Sequence, residues 1–302
     1  MSPLPPITAV LAFDDEADAA GALATALGVP LRPVARHRFP DGELRLTLPT
    51  GLSGSVVLHR SLHQPNEKLV ELLIAAPTAR AQGAQAVLLC APYLAYMRQD
   101  IEFTPGEAVS QRHLGALLAR TVDGLVTVDP HLHRIASLDE VMPGCRPVAC
   151  TAAPAIGAFV AARRPGALLL GPDGESEQWV RAAAAGAPQP LDHAWCLKQR
   201  HGDHEVAVTL PPGLDLRGRA VVLVDDMAST GRTLVAAARL ALAAGAARVD
   251  VAVTHALFVG DALEQLRAAG IGEVWSTGCV PHPSSAIDVT PLLAEALQHL
   301  VG

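Results

Sequence analysis

The chain has 302 residues, of which half are hydrophobic and only 3% are aromatic, so it would bury an aliphatic and alanine-rich core in one large or two ordinary domains. Its formal net charge of -7 argues against a general nucleic-acid-binding protein, which would normally carry a basic face. The five dispersed cysteines form no CxxC pair, so we predict free thiols in a reducing compartment. We see no secretory signal before the first strand and no apolar run long enough to span a membrane. We therefore predict a cytoplasmic protein with no membrane partner.

Short aliphatic runs alternate with helix-like segments along the chain. The predicted strands are, in chain order, ITAVLAF (7–13), SVVLH (55–59), AVLLC (86–90), GLVTVD (124–129), ALLLG (167–171), AVVLV (220–224) and VDVAVTH (249–255). Between them, residues 66–83 and 110–122 carry apolar side chains at helical spacing. This alternation predicts an α/β protein with crossover connections and mainly parallel sheets that are covered on both faces.

The pattern of strands and helices runs twice. A first set ends with GLVTVD and a second begins with ALLLG, and the stretch between them contains Pro143, Gly144 and Pro147. Proline and glycine at this density favour a linker. We therefore predict two domains, residues 1–147 and 148–302.

The segment VVLVDDMASTGRTL (221–234) joins a buried strand to two carboxylates, a polar loop and a helix predicted to start near Thr230. Ligands of open parallel sheets bind beyond the carboxyl ends of the strands, and the free N–H groups at a helix start favour phosphate. Asp225 and Asp226 would suit the hydroxyls of a sugar, and the loop with its Ser and Thr hydroxyls would suit a phosphate. An acidic helix cap followed by a solvated loop explains the same residues equally well.

The segment RFPDGELRL (38–46) also has two interpretations. Phe39 could stack on a nucleotide base while Asp41 and Glu43 accept hydrogen bonds from it. The alternative is a turn at Asp41–Gly42 that joins two strands, and the segment by itself favours this turn.

Arg98 and Gln99 follow a predicted strand. The forked guanidinium of Arg98 would suit a phosphate. A surface ion pair with Asp100 or Glu102 is the more ordinary role for such an arginine.

His131 and His133 follow the strand GLVTVD, and Lys198 and Arg200 directly follow another predicted strand. Histidines two residues apart are a weak metal signal, because a strand would direct them to opposite faces. Two cations before a glycine-containing loop would suit a phosphate chain, although an exposed turn explains them as well.

Together these segments resemble the ribose-phosphate pyrophosphokinase family. VVLVDDMASTGRTL resembles the phosphoribosyl-diphosphate motif that this family shares with type I phosphoribosyltransferases. RFPDGELRL, PYLAYMRQDIEFTPGEAVSQR (92–112) and TVDPHLH (127–133) resemble the pyrophosphokinases alone. The order and separation of the segments fit nearly the whole chain, so the resemblance implies two tandem domains of the type I phosphoribosyltransferase fold.

The resemblance also implies an activity, which is transfer of the pyrophosphoryl group of Mg-ATP to the C1 hydroxyl of ribose 5-phosphate. It implies Mg²⁺ as the cofactor and a homo-oligomeric assembly. The residues that it implicates are Phe39, Asp41, Gly42, Glu43, Arg98 and Gln99 for ATP; His131 and Asp173 for the metal; Lys198 and Arg200 for catalysis; and Arg200, Asp225, Asp226, Ser229, Thr230, Gly231, Arg232 and Thr233 for ribose 5-phosphate.

Some residues depart from the family pattern. The family follows its Pro-Asp pair with two glycines, whereas PDGESEQ (172–178) places Glu175 and Glu177 there. Ser229 replaces a second acid of the sugar loop, and Arg232 replaces a glycine. The alternatives are therefore a non-catalytic regulatory homologue, a phosphoribosyltransferase, or an enzyme acting on another phosphorylated sugar.

Overall fold

The computed structural model describes residues 3–201 and 205–302, with the backbone alone for residues 198–201 and 205–207. The strands are β1 (Ile7–Ala12), β2 (Leu31–Pro33), β3 (Ala35–Arg38), β4 (Leu44–Thr47), β5 (Ser55–His59), β6 (Ala86–Cys90), β7 (Gly124–Val128), β8 (Arg146–Cys150), β9 (Leu168–Gly171), β10 (His193–Trp195), β11 (Leu197–His201), β12 (Glu205–Thr209), β13 (Ala220–Ala228), β14 (Arg248–Ala256), β15 (Ile271–Thr277) and β16 (Ser285–Ile287). The helices are α1 (Ala17–Leu27), α2 (Pro65–Ala81), α3 (Ser110–Thr121), α4 (Ala153–Arg163), α5 (Glu177–Gly186), α6 (Arg232–Ala243), α7 (Ala262–Ala268) and α8 (Thr290–Val301).

The chain forms two compact units. The first contains residues up to Cys150 together with Thr290–Gly302, and the second is Thr151–Val289. Helix α8 packs against α1, β7 and β8 of the first unit. The predicted division at 147/148 had placed α8 with the second half of the chain.

The first unit is built on a six-stranded sheet with the order β2-β1-β5-β6-β7-β8. Every neighbouring pair in this sheet is parallel. All residues of β5, β6 and β7 are buried, which explains why these strands are apolar without alternation. The hairpin β3–β4 forms a separate two-stranded antiparallel sheet.

The second unit has its own six-stranded parallel sheet, with the order β10-β9-β13-β14-β15-β16. Side chains of β13 alternate between two cores, as the two-residue period of a strand requires. Val221 and Leu223 pack with α6 on one face. Val222 and Val224 pack with α4 and α5 on the other face. The mainly parallel α/β architecture predicted from the sequence is thereby confirmed.

Helices α4 and α5 approach each other very closely in the second unit. A Cβ added to Gly157 of α4 would lie 1.8 Å from the backbone oxygen of Ala183 on α5. Ala183 is itself fully buried. The small residues at this crossing therefore allow two backbones to pack in direct contact.

Among the helices that the structure describes, none combines the length and the apolar composition needed to cross a lipid bilayer.

We predict that Gly157→Ala destabilises the second unit. Overpacking against a backbone atom costs about 3 kcal/mol, and the better helix propensity of alanine returns about 1 kcal/mol. The net loss of unfolding free energy should therefore be about 2 kcal/mol. Trp179, Trp195 and Trp275 all lie in this unit, so urea unfolding followed by tryptophan fluorescence measures it selectively.

Gly278→Ala is the matched control, because nothing lies within 4 Å of the Cβ that it would add. Its unfolding free energy should stay within about 0.5 kcal/mol of the wild-type value. A Gly157→Ala protein with an unchanged urea midpoint would contradict the close packing of α4 on α5.

Candidate functional site

The register of the second sheet gathers three carboxylates. Strand β9 pairs with β13 only as far as Leu223, whereas β14 remains paired with β13 as far as Ala228. Asp225 and Asp226 thus lie within β13, beside the segment that follows β9 and carries Asp173. Because both strands point the same way, their carboxyl ends share one edge of the sheet, where ligands of such sheets bind.

These carboxylates form an electrostatically strained group. Asp226 and Asp173 are buried, and Asp225 is half-buried. The backbone N–H of Asp226 donates to Oδ1 of Asp225 at 3.0 Å. Burial raises the pKa of Asp225 well above its usual range, and the neighbouring carboxylates of Asp226 and Asp173 raise it further. A cation or hydroxyl donors at this edge would relieve the repulsion.

The loop after β13 leads directly into helix α6. Gly231 is the N-cap residue, with φ of 72° and no side-chain hydrogen bond capping the helix. Only glycine adopts this left-handed conformation at little cost. The helix begins at Arg232, two residues later than the predicted start at Thr230. Its first N–H groups and its dipole therefore favour an anion at this position.

The hydroxylic and basic side chains predicted to bind the sugar phosphate surround this helix start. Ser229 is half-buried, and Thr230, Arg232 and Thr233 are exposed. The backbone oxygen of Ser229 accepts from the N–H of Val259 at 3.2 Å, which ties the loop to the segment after β14.

The acidic segment after β9 folds into a capped turn. A carboxylate oxygen of Asp173 accepts from the backbone N–H of Glu175 at 3.0 Å, and the Ser176 hydroxyl donates to the backbone oxygen of Asp173 at 2.6 Å. Glu177, at the start of α5, forms an ion pair with Arg181 at 2.7 Å. The charge of Glu177 is therefore already matched by a cation.

In the first unit, the predicted nucleotide residues occupy the tip of the hairpin β3–β4. The N–H of Phe39 donates to the backbone oxygen of Glu43 at 2.8 Å, and Asp41 accepts from the Glu43 N–H at 3.1 Å. Gly42 has φ of 95°, a turn conformation that favours glycine. The turn at Asp41–Gly42 that the segment alone predicted is thus present. Phe39 is nevertheless 37% exposed, so its ring remains accessible to a ligand.

The contacts that attach this hairpin to helix α2 are not predicted by the sequence pattern. Arg36 donates to Glu71 at 2.5 Å, and Arg38 forms an ion pair with Glu67. The only signal in the sequence is the spacing of these charges. The two arginines are two residues apart on a strand, and the two glutamates are four residues apart on a helix. That spacing becomes informative only once the hairpin and the helix are known to be neighbours.

Arg98 and Gln99 lie in the loop between β6 and α3. Gln99 donates to the backbone oxygen of Ile101 at 3.0 Å. Asp100 is paired with Arg134 at 3.2 Å, so it is engaged elsewhere. Within the described ranges, no ion pair involves the exposed side chain of Arg98, whose guanidinium is therefore available to an anion.

His131 and His133 follow the end of β7 at Val128. Because the strand has already ended, the two rings do not diverge, and their centroids lie 4.0 Å apart. Asp129, two residues before His131, is buried and has φ of 38°. His131 therefore sits in a tightly constrained loop of the first unit, whereas the other predicted metal residue, Asp173, belongs to the second.

Lys198 and Arg200 lie within β11 rather than after a strand. In the antiparallel hairpin β11–β12 they stand opposite Val208 and Val206. Their side chains fall outside the described part of the structure, so their predicted catalytic role stays a prediction.

The donor set fits Mg²⁺ only sparsely. Across the described side chains, no three His, Cys, Asp or Glu groups converge as a preformed metal site. Mg²⁺ prefers oxygen ligands and usually keeps several waters and substrate phosphate oxygens. Asp226 and Asp173, the carboxylates that raise the pKa of Asp225, supply oxygens of the kind that Mg²⁺ prefers, so a metal held partly by substrate is chemically compatible with this edge.

Two parallel α/β units, of which the second carries a carboxylate pair followed by a helix-start loop, define a protein of the type I phosphoribosyltransferase-like class. The crystal structure of phosphoribosylpyrophosphate synthetase from Mycobacterium smegmatis has the same fold. It matches with a TM-score of 0.80 at 22% sequence identity, over 97% of this chain and 98% of that chain.

Sequence comparisons identify the family. A model of the N-terminal domain of ribose phosphate pyrophosphokinase matches residues 8–121, and a model of the phosphoribosyl synthetase-associated domain matches residues 196–301. The ribose-phosphate pyrophosphokinase of Methanopyrus kandleri is 38% identical over 97% of this chain and 99% of its own length. That of Sulfolobus acidocaldarius is 34% identical over 83% of this chain and 86% of its own length. The chain belongs to the ribose-phosphate pyrophosphokinase family.

We predict that Asp226→Asn lowers the pKa of Asp225, because the substitution removes the larger of the two like-charge contributions and keeps a similar shape. Burial and Asp173 remain, so this pKa should stay above the ordinary carboxyl range. Carboxyl NMR titration in metal-free buffer measures the change.

The control for this titration is Asp192→Asn. Asp192 is exposed and paired with Arg219 at 2.7 Å, and it does not contribute to the shift of Asp225. The control should leave the Asp225 titration where it is in the wild type. An unchanged Asp225 titration in Asp226→Asn would refute the proposed coupling.

Proposed function

We propose that the protein is a ribose-phosphate pyrophosphokinase that uses Mg-ATP and ribose 5-phosphate to form 5-phosphoribosyl 1-diphosphate and AMP. The observation that carries this proposal is the 38% identity to a ribose-phosphate pyrophosphokinase over essentially the full length of both chains. The predicted ATP residues and the predicted sugar-phosphate residues all lie within that matched length.

In the second unit, the loop before α6 would hold the 5-phosphate of the sugar. Gly231 lets the chain turn into the helix, so that backbone N–H groups and the hydroxyls of Thr230 and Thr233 surround the anion. Arg232 would add a positive charge at the first helical position. Asp225 and Asp226 would accept hydrogen bonds from the ribose hydroxyls, which would help to relieve their mutual repulsion.

In the first unit, the hairpin tip and the loop after β6 would bind ATP. The exposed ring of Phe39 offers a stacking surface for the adenine. Arg98, to which no described residue is ion-paired, would bind a phosphate. Gln99, Asp41 and Glu43 would complete the polar contacts.

The transfer step makes one bond and breaks another. The C1 hydroxyl oxygen of ribose 5-phosphate attacks the β-phosphorus of ATP, and the hydroxyl proton is released. The bond from the β-phosphorus to the oxygen that bridges it to the α-phosphorus breaks, and AMP leaves with the electron pair. Positioning and charge stabilisation supply most of the catalysis in phosphoryl transfer. Lys198 and Arg200 would neutralise the charge that develops on the transferred group and on AMP.

His131 and Asp173 would each contribute to holding Mg²⁺, with water and phosphate oxygens as the remaining ligands. When bound, the ion would neutralise phosphate charge and so make the β-phosphorus more open to attack. As with other enzymes of nucleotide metabolism that act on soluble substrates, we place the protein in the cytoplasm, and we expect a homo-oligomer.

The direct test is incubation of the purified protein with Mg-ATP and ribose 5-phosphate. The expected products are AMP and 5-phosphoribosyl 1-diphosphate in equal amounts. Formation of ADP, or consumption of 5-phosphoribosyl 1-diphosphate with a base instead of its production, would overturn the proposal. Binding of both substrates without turnover would identify a non-catalytic homologue, and turnover of a different pentose phosphate would identify another substrate.

We predict that Lys198→Ala lowers kcat by at least about tenfold, which corresponds to about 1.4 kcal/mol of barrier. The KM values for both substrates should change less, because the lysine would act mainly on charge that develops during transfer. Steady-state kinetics of AMP formation measures both parameters.

Gln199→Ala is the neighbouring control, since it removes an uncharged side chain from the same strand. Its kcat should remain within about threefold of the wild-type value. A Lys198→Ala enzyme with near-normal turnover would count against the catalytic assignment.

A further inference from the structure

The hairpin β3–β4 depends on side chains for its attachment to the first unit. In the described part of the chain, its strands pair only with each other. The main-chain link next to it is the N–H of Val34, which donates to the backbone oxygen of Ala12 at 2.8 Å. Val34 and Leu48 are buried at the base of the hairpin, whereas the tip is exposed. Something other than a strand partner must therefore fix the direction in which the tip points.

The two faces of the hairpin carry different chemistry. Alternation along β3 places His37 and Phe39 on one face, and Arg36 and Arg38 on the other. On the first face, the rings of His37 and Phe39 meet edge-on at 4.8 Å, and the guanidinium of Arg45 lies 5.8 Å from the centre of the Phe39 ring. The second face lies toward α2.

Two ion pairs connect this second face to α2. Arg36 pairs with Glu71 and Arg38 pairs with Glu67. Residues two apart on a strand are separated by about 6.6 Å, and residues four apart on a helix by about 6 Å along the axis. The two spacings match closely, so both pairs form together only when the strand and the helix have one particular alignment.

The pair of Arg36 with Glu71 is the inner and more strongly fixed of the two. Glu71 is 0% exposed, and its other oxygen lies 2.6 Å from the guanidinium of Arg60, which is also buried. Arg36 donates in addition to Asp14 at 2.9 Å and approaches Asp15 at 3.5 Å. A single guanidinium thus joins the hairpin to a buried carboxylate and to the turn after β1.

We propose that Arg36 is a positioning residue for nucleotide binding, which holds the hairpin on α2 so that the Phe39 face is presented to the base. The inference rests on the proposed function, because it assigns the base to that face. Arg36 itself lies on the opposite face and would not touch the nucleotide. Its effect on ATP binding would pass entirely through the orientation of the hairpin.

The decisive variant is Arg36→Gln, which removes the charge and the forked donor. We expect KM for ATP to rise by about tenfold, with kcat and KM for ribose 5-phosphate within about twofold of wild type. Arg36→Lys should recover part of the ATP affinity, because a single ammonium can keep the pair with Glu71 but is poorly shaped to bridge to Asp14 as well.

The matched control is Arg32→Gln on the neighbouring strand β2. Among the described residues, Arg32 donates only to the backbone oxygen of Thr50, at 3.3 Å, and it forms no hydrogen bond or ion pair with α2. This variant removes a charge of the same kind from the same region of the first unit. All of its kinetic constants should stay within about twofold of wild type.

A second measurement does not depend on catalysis. Amide hydrogen exchange of residues 35–47 should become faster in Arg36→Gln, with the central strands β5 and β6 unchanged, because only the hairpin loses an anchor. This result would support the anchor even if the wild-type protein formed no AMP, so failure of the proposed function and failure of the anchor can be distinguished.

Asp14→Asn provides a variant that cannot disturb the core, since the Asp14 side chain is 84% exposed. It should produce a smaller change in the same direction, with KM for ATP about two- to threefold higher and faster hairpin exchange. If Arg36→Gln fails to fold, Asp14→Asn decides the question. Wild-type exchange of the hairpin in the folded variants, or an equal rise of KM for both substrates, would overturn the proposal.

Discussion

In a parallel sheet all strands point the same way, so their carboxyl ends share a single edge. In the first unit, residues with strained backbone conformations follow the strands at that edge. Gln64, Tyr96 and Asp129 follow β5, β6 and β7, and they are the non-glycine residues with positive φ, at 50°, 63° and 38°, among those that the structure describes. Such conformations persist where the surrounding structure enforces them, and they concentrate at functional sites. In the second sheet, the edge formed by the carboxyl ends of the strands carries the carboxylates of β13 and the start of α6.

A buried network of charges supports the strand ends of the first unit. Arg60, which is 1% exposed, lies between Glu71 and Glu16, and Lys68 donates to Glu16 at 2.8 Å. Burial alone would raise the pKa of Glu16, but the neighbouring His59 ring, 3.3 Å away, and the hydrogen bond from Lys68 lower it to about 2. Removing one partner of a buried ion pair costs about 3–5 kcal/mol, because the other charge stays buried. The network therefore constrains where α2 and the turn after β1 can lie, and Arg36 extends that constraint to the hairpin.

The sequence predicts the fold more completely than the site, for physical reasons. Every predicted strand coincides with one of the central strands, because burial on both faces makes these runs continuously apolar. Most of the missed strands are short or lie at edges, such as β2, β10 and β16, where few side chains are buried and the pattern is weak. Strand β15 is missed although it is internal and seven residues long, because Gly272 and Glu273 interrupt its apolar pattern. The paired acids and the glycine of the loop before α6 could be picked out from the sequence, because the chemistry predicted for them depends on neighbours in the chain. The Arg36–Glu71 contact joins residues 35 positions apart, and no local pattern contains that information.

The position of helix α8 has a consequence for the order in which the molecule forms. Its residues follow the second unit in the chain, yet they pack on α1, β7 and β8 of the first unit, and the side chain of Leu300 lies close to Gly124. A ribosome-bound chain that has just completed the second unit still lacks this cover for the first sheet. The first sheet therefore stays partly uncovered until α8 has been synthesised, and during that interval its exposed apolar surface is prone to aggregation.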